Sequence, residues 1–201
     1  MTLHKIARQK IVDIKGNVVS YEMLYRNQHL EGKELTDDEK TLDVLKTIER
    51  IGFDKVSNGL KLSLNFSDTN LIESISEKLS PKKISLEILE TVEINSAFVE
   101  RMKALKQKGF SIYLDDFDKS KVKDESIYNV IDIVKVDFML STKEDFEFVL
   151  ELKNKFPNLK LLAEKVENEK EYKYALENGY SYFQGYFIEK PEEMLCVSKS
   201  L

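Results

Sequence analysis

The polar residues that could do chemistry stand where short apolar runs end. Glu22 lies in YEMLYR, Asn65 near the end of LSLNF, and Glu87 and Glu90 in SLEILE. Asp115 and Asp116 close YLDD, Lys135 interrupts IVKVD, Glu164 and Glu167 follow LLA, and Gln184 stands inside YFQGYF. One acid at the end of a run is usually a helix cap or a turn residue. One lysine in a strand is usually an edge or snorkelling residue. Seven successive runs that each deliver an acid, an amide or an ammonium are a different matter. Carboxylate and amide oxygens are hard ligands suited to Mg2+ or Mn2+, and adjacent aspartates suit two ions sharing a bridge. A lysine among them can orient water or neutralise developing negative charge. The residues alone read as a two-metal hydrolase for an anionic, phosphorylated substrate.

The runs that must carry these groups are rich in Val, Ile, Leu, Tyr and Phe, as strands are. They are ARQKIVDIK (7–15), VVSYEMLYR (18–26), LKLSLNF (60–66), KISLEIL (83–89), FSIYLDD (110–116), DIVKVDF (132–138), LKLLAEK (159–165) and YSYFQGYF (180–187). Between them, apolar residues recur at helical spacing, as in Leu42, Leu45, Ile48 and Ile51, or Phe98, Met102 and Leu105, or Phe146, Val149, Leu150 and Leu152. Gly52, Gly109 and Gly179 stand where such helices should stop. Strands alternating with helices imply a parallel α/β sheet, doubly wound or closed as a barrel. Only Gly16 and Asn17 separate the first two runs, so these should form an antiparallel hairpin. In such folds the C-terminal strand ends share the active face, which is where the acids and amides fall. No repeat, linker or break in composition divides the chain, which implies a single domain over residues 1–201.

Composition removes other chemistries. The 201 residues are 42% apolar and 33% charged, enough to bury a core without disulfides. Thirty-one basic against 36 acidic residues leave a net charge of −5, with the signs interspersed. No basic stripe offers a DNA or RNA surface. No run of about 18 apolar residues would span a membrane. The start, MTLHKIARQK, lacks a signal-peptide core, so a cytoplasmic location is expected. The histidines are His4 and His29, too few for a His-based triad or zinc site, and neither GxGxxG nor GxxxxGK[ST] occurs. The lone cysteine, Cys196, reads as a small apolar residue buried in a terminal helix.

In order, YEMLYR, LNFS, LEILE, LDDF, VKVD, AEKVE and QGYFIEKP carry a resemblance to a known family. The sequence resembles the EAL domain, a bacterial phosphodiesterase domain that hydrolyses the second messenger cyclic di-GMP. The match runs from RQKIVD (8–13) to QGYFIEKP (184–191), and its wording is closest to EAL domains usually paired with an HDOD domain. The resemblance implies a modified TIM (β/α)8 barrel with one antiparallel strand, contributed by the N-terminal hairpin. It implies that Glu22, Asn65, Glu87 and Asp115 bind a first Mg2+ or Mn2+, and that Asp115 and Asp116 bind a second. It assigns Lys135 to the attacking water and Glu164 to general-base or water-ligand duty. Gln9, Arg26 and Gln184 would hold the dinucleotide, while Glu90 and Glu167 would give structural support. The implied reaction is hydrolysis of cyclic di-GMP to linear pGpG in signal transduction, with a homodimer or a protein partner as further expectations.

The chain departs from the family pattern at several points. Met23 replaces Ala in the signature tripeptide, Lys10 replaces Pro, and Phe138 replaces Arg. Asp118 stands where active members carry glycine, in a stretch reading DDFDKSKVKDES, which is expected to lower metal affinity or turnover. The stretch from Arg26 to Leu60 is short, and 201 residues is short for such a barrel, so trimmed helices or loops are expected. Phe117, Tyr186 and Phe187 read as core aromatics rather than guanine-stacking ones, and KVKDES (121–126) as a solvated loop. The competing reading is a catalytically weak or inactive module that binds cyclic di-GMP or a protein partner as a receptor or scaffold.

Overall fold

A computed structural model describes residues 2–27, 34–67, 72, 74, 76–116, 120 and 122–198. His29, Phe117, Asp118 and Lys121 lie outside the described residues. The hairpin comes first, β1 (Thr2–Asp13) and β2 (Val18–Tyr25), closed through Gly16 at φ 79°. Asp13 fixes the turn, its carboxylate accepting from the backbone of Lys15 and Asn17 and from the Asn17 amide. Helices α1 (Asp37–Ile51) and α2 (Phe53–Ser57) lead to β3 (Lys61–Phe66) and then β4 (Ile84–Ile88). There follow α3 (Ser96–Gln107), β5 (Ser111–Leu114), a 3-10 helix (Glu125–Asn129) and β6 (Ile133–Asp137). The chain continues through α4 (Lys143–Lys155), β7 (Lys160–Glu164), α5 (Glu169–Glu177), β8 (Tyr182–Phe183) and β9 (Glu192–Ser198).

Strands β2 to β8 pair in parallel and in order, and β1 closes the ring by pairing antiparallel with both β2 and β8. The result is a closed eight-stranded α/β barrel with one antiparallel strand. Its economies are visible in the five-residue 3-10 helix between β5 and β6, where an α-helix would ordinarily cross over, and in the two-residue β8. No helix among the described residues is long and apolar enough to cross a membrane.

Period-two alternation along each strand divides the molecule into layers. Tyr21, Met23, Leu62, Leu64, Leu86, Ile112, Val134 and Leu161 face outward, where the helices bury them in the main core. Met23 thus points away from Glu22, as alternation requires. The other parity faces the barrel axis. Ile11, Tyr113, Ile133 and Leu162 form a small apolar layer there. Two residues further towards the barrel mouth, Gln9, Asp115, Lys135 and Glu164 follow on the same parity. The apolar layer is therefore a dry floor beneath a polar one.

The differences from the sequence reading trace to how the chain packs around β8. β8 stops after two residues because the chain folds around Val166. Gln184 N–H donates to Ala163, Val166 N–H to Gln184, and Phe187 N–H to Val166. Gly185 passes so close to the Val166 backbone that no Cβ would fit. Tyr186 and Phe187 then lie exposed rather than in the core. A ninth strand was not anticipated. The short β8 leaves the first half of β1 with a free edge, and β9 fills it, pairing antiparallel from Thr2–Ser198 to Arg8–Glu192. Cys196 is accordingly a half-buried strand residue opposite His4, not part of a terminal helix.

The N-terminus of α1 is built to grip the barrel. Thr36 and Glu39 form a reciprocal capping box, and the Asp38 carboxylate accepts from the backbone and hydroxyl of Ser67, just beyond β3. The buried Thr41 hydroxyl donates to the carbonyls of Asp37 and Asn65. Thr41→Val keeps the volume and removes that bond, which is worth about 1 kcal/mol. The expected result is a melting temperature lower by about 2–4 °C for a chain of this size, measured by circular dichroism.

Candidate active site

Lys135 is the hub of the polar layer. Its side chain is 1% exposed, and its ammonium lies 2.8 Å from Glu87, 2.7 Å from Glu164, 2.5 Å from Asp115 and 3.6 Å from Glu22. Four strand ends, those of β2, β4, β5 and β7, thus converge on a lysine from β6. Gln184 closes the ring from β8, donating one amide hydrogen to Glu22 at 2.6 Å and the other to Gln9 at 3.1 Å. Gln9 in turn donates to the Glu189 carbonyl. Asp116 follows Asp115 with φ 37°, and Glu90 reaches the same place from beyond β4. One carboxylate oxygen from each of Glu90, Asp115 and Asp116 lies within 4.8 Å of the others.

One ammonium faces four carboxylates, and burial raises two of them. Burial pushes the Glu87 carboxyl up to about 8, with Lys135 pulling against it. Glu164 is raised well above the carboxylate range, again by burial first. Asp116 is raised by burial and by the charge of Asp115. Burial works against the charged form of Lys135, but Asp115, Glu164, Glu22 and Glu87 outweigh it and keep the lysine protonated.

The site also has oxygens without partners. Asn65 Oδ1, Glu87 Oε1, Asp116 Oδ1 and Gln184 Oε1 are buried and accept no hydrogen bond among the described residues. Buried acceptors normally find a donor, so several at one strand-end cluster fit a cation held by oxygen. The donor set is carboxylate and amide oxygen throughout, which suits a hard divalent ion. The residues present therefore fit a metal.

A cavity of about 440 Å3 opens above the cluster. Gln9, Arg26, Glu167 and Gln184 line it together with the inner acids. A second hollow of about 240 Å3, lined by Thr41, Asn65 and Glu90, lies on the other side of the Asp115–Asp116 pair. Arg26 stands on the rim, exposed, its guanidinium bonded to the neighbouring Tyr25 carbonyl. Glu167 is exposed as well, and the turn after β7 is held by the backbone of Val166.

The EAL domain family matches residues 9–191 of the chain. The chain is an EAL domain. This domain is 36% identical over 192 residues to the uncharacterized protein YuxH of Bacillus subtilis, covering 92% of this chain and 47% of that protein. It is 30% identical over 191 residues to the cyclic di-GMP phosphodiesterase CdgJ of Vibrio cholerae, covering 93% of this chain and 44% of that protein. The chain thus spans less than half the length of both relatives. Among solved structures, the Bacillus subtilis YkuI protein, crystallised with cyclic di-GMP and calcium, superposes with a TM-score of 0.68 at 22% identity. That match covers 96% of this chain and 55% of the other.

The EAL domain's site also contains residues that sequence reasoning passed over. Asp137 lies two residues beyond Lys135, so strand parity could have revealed it. Lys165 could not be found that way. It is a non-glycine residue at φ 52° that bonds Asp137 and lies 3.6 Å from Asp116. Gly185 shapes the site through its close approach to the Val166 backbone, which leaves no room for a Cβ.

The folded protein holds the Glu87 proton more tightly than an unfolded chain, whose carboxyl titrates near 4.5. That contribution to stability is present below the lower value and lost as pH rises towards about 8. In chelator, the melting temperature of wild type should therefore fall relative to Glu87→Gln as pH is raised through this window. A difference that stays constant from pH 5 to pH 8 would show that Glu87 does not bury its charge.

Proposed function

We propose that this EAL domain is a metal-dependent phosphodiesterase that hydrolyses cyclic di-GMP to linear pGpG. The reading rests chiefly on Lys135 held among Glu22, Glu87, Asp115 and Glu164, with unpartnered oxygens of Asn65, Glu87 and Asp116 beside it. Membership of the family, the name of the CdgJ relative and the ligands in the YkuI structure point the same way. The cavity is also of a size that suits a small-molecule ligand.

In this reading Glu22, Asn65, Glu87 and Asp115 would hold one Mg2+ or Mn2+, and Asp115 and Asp116 would help to hold a second. Bound ions of this kind polarise a phosphodiester and lower the pKa of water. The remaining work falls to the protein's own groups. Gln9, Arg26 and Gln184 bind and orient the dinucleotide across the cavity. Glu164 takes the proton of the attacking water. Burial raises its pKa, and the carboxylate is a stronger base for it once deprotonated. Lys135 stays protonated, orients that water, and offsets the negative charge that grows on the phosphate oxygens. Water oxygen attacks phosphorus in line, the bond from phosphorus to the 3′ oxygen breaks, and the 3′ oxygen takes a proton from solvent to leave as a hydroxyl while Glu164 returns its proton to solvent. The apolar floor beneath Lys135 keeps bulk water from entering behind the site.

Incubation of the purified chain with cyclic di-GMP and Mg2+ or Mn2+, followed by nucleotide chromatography, should yield pGpG. Glu22→Ala should lower the rate by at least about 100-fold, as loss of a directly ligating or positioning group does. No product with either ion at high protein concentration would overturn the catalytic reading. Retained cyclic di-GMP without cleavage would favour a receptor role.

A further inference from the structure

The turn after β7 places a lysine where the backbone disfavours it. Lys165 has φ 52°, a left-handed conformation that costs a residue other than Gly or Asn about 1–2 kcal/mol. The conformation is imposed by its neighbours. Val166 N–H bonds Gln184, Phe187 N–H bonds Val166, and Gly185 presses against the Val166 backbone. Glycine would satisfy this geometry without strain. Backbone geometry alone therefore does not account for a lysine at this position.

That side chain folds over the end of β6. Its ammonium bonds Asp137 Oδ2. Asp137 is 4% exposed, and its other oxygen accepts from the backbone of Met139 at 2.7 Å and Leu140 at 3.1 Å. Asp137 is thus a fixed anchor. From it, the Lys165 ammonium lies 3.6 Å from Asp116 Oδ2. Asp116 is itself at a positive φ, its Oδ1 is buried with no partner among the described residues, and one of its carboxylate oxygens lies within 4.8 Å of oxygens of Asp115 and Glu90.

We propose that Lys165 is a positioning residue: anchored by Asp137, it holds the Asp116 carboxylate so that the second oxygen faces the Asp115 and Glu90 carboxylates. The inference rests on the metal-dependent reading and deepens it, because that oxygen is the one free to take a cation. Groups that orient a ligating carboxylate typically matter by 10–100-fold in metal affinity. Asp116, Asp137 and Glu164 all face the ammonium, and against its burial they keep it charged. The opposite effect is also physically available. A cation beside Asp116 could simply compete with a metal, and then its removal would tighten binding.

Mn2+ binding measured by isothermal titration calorimetry separates the two. Lys165→Met should weaken Mn2+ binding by about 10–100-fold, and Lys165→Arg should recover most of the loss. Lys165→Gly should weaken binding as Lys165→Met does, while its melting temperature in chelator matches or exceeds wild type, since backbone strain is relieved. That pairing excludes a merely structural role. Unchanged or tighter Mn2+ binding by Lys165→Met and Lys165→Gly would overturn the inference and leave the phosphodiesterase reading intact. Mn2+ binding by wild type without cleavage of cyclic di-GMP would overturn the phosphodiesterase reading and leave the Lys165 comparison standing.

Discussion

Moving a charge from water into a protein interior costs several kcal/mol even after relaxation, and the barrel mouth does it repeatedly around Lys135. The ammonium is surrounded by Glu87, Asp115 and Glu164 in contact, with Glu22 one step further off. Each partner makes the others tolerable. Removing the lysine would leave buried carboxylates repelling one another, and removing the acids would strand a buried ammonium. Much of the barrel's design follows from having to hold this cluster. Parallel strands buried on both faces ordinarily read as continuous apolar runs. Here they alternate, because the inward parity must be polar near the mouth. The apolar layer of Ile11, Tyr113, Ile133 and Leu162 lies just beneath it and keeps the effective dielectric low where charge matters.

Depth then sorts the acids. Glu87 is wholly buried and Asp115 is 11% exposed at the side chain, whereas Asp116 is 34% exposed. Burial raises Glu87 and Glu164 most directly, since water cannot reach them to stabilise their charge. Asp116 is raised partly by its neighbour Asp115. A site of this kind holds an excess of negative charge that the lysine alone cannot neutralise. A divalent cation held by these oxygens would relieve that excess.

Strand parity made most of the candidate site's convergence at the barrel mouth legible in the sequence. Glu22, Asn65, Glu87, Lys135 and Glu164 each interrupt an apolar run at the inward position, and the hairpin at Gly16 dictated the antiparallel β1. What stayed hidden depends on contacts far apart in the chain. β9 forms because β8 is too short to cover β1, and β8 is short because Gly185 meets Val166. Nothing local to Glu192–Ser198 announces this, so the sequence there reads as a helix where the structure has a strand. Tyr186 and Phe187 were expected inside for the same reason. Lys165 escaped notice because a left-handed turn usually advertises itself through glycine or asparagine, and this one carries lysine.

The distribution of strain completes the picture. Of the non-glycine residues with positive φ among those described, Asp116 and Lys165 both stand at the barrel mouth, just past strands β5 and β7. Such conformations persist only where the surroundings over-determine them. The outer core of helices against strands and the Lys135 cluster supply that constraint, since neither can shift without exposing apolar surface or unpairing a buried charge. The rim can then hold side chains in orientations that a free loop would abandon. A rigid barrel with a strained mouth is what precise placement of two adjacent aspartates requires, because their charges repel and their backbone would otherwise turn them apart.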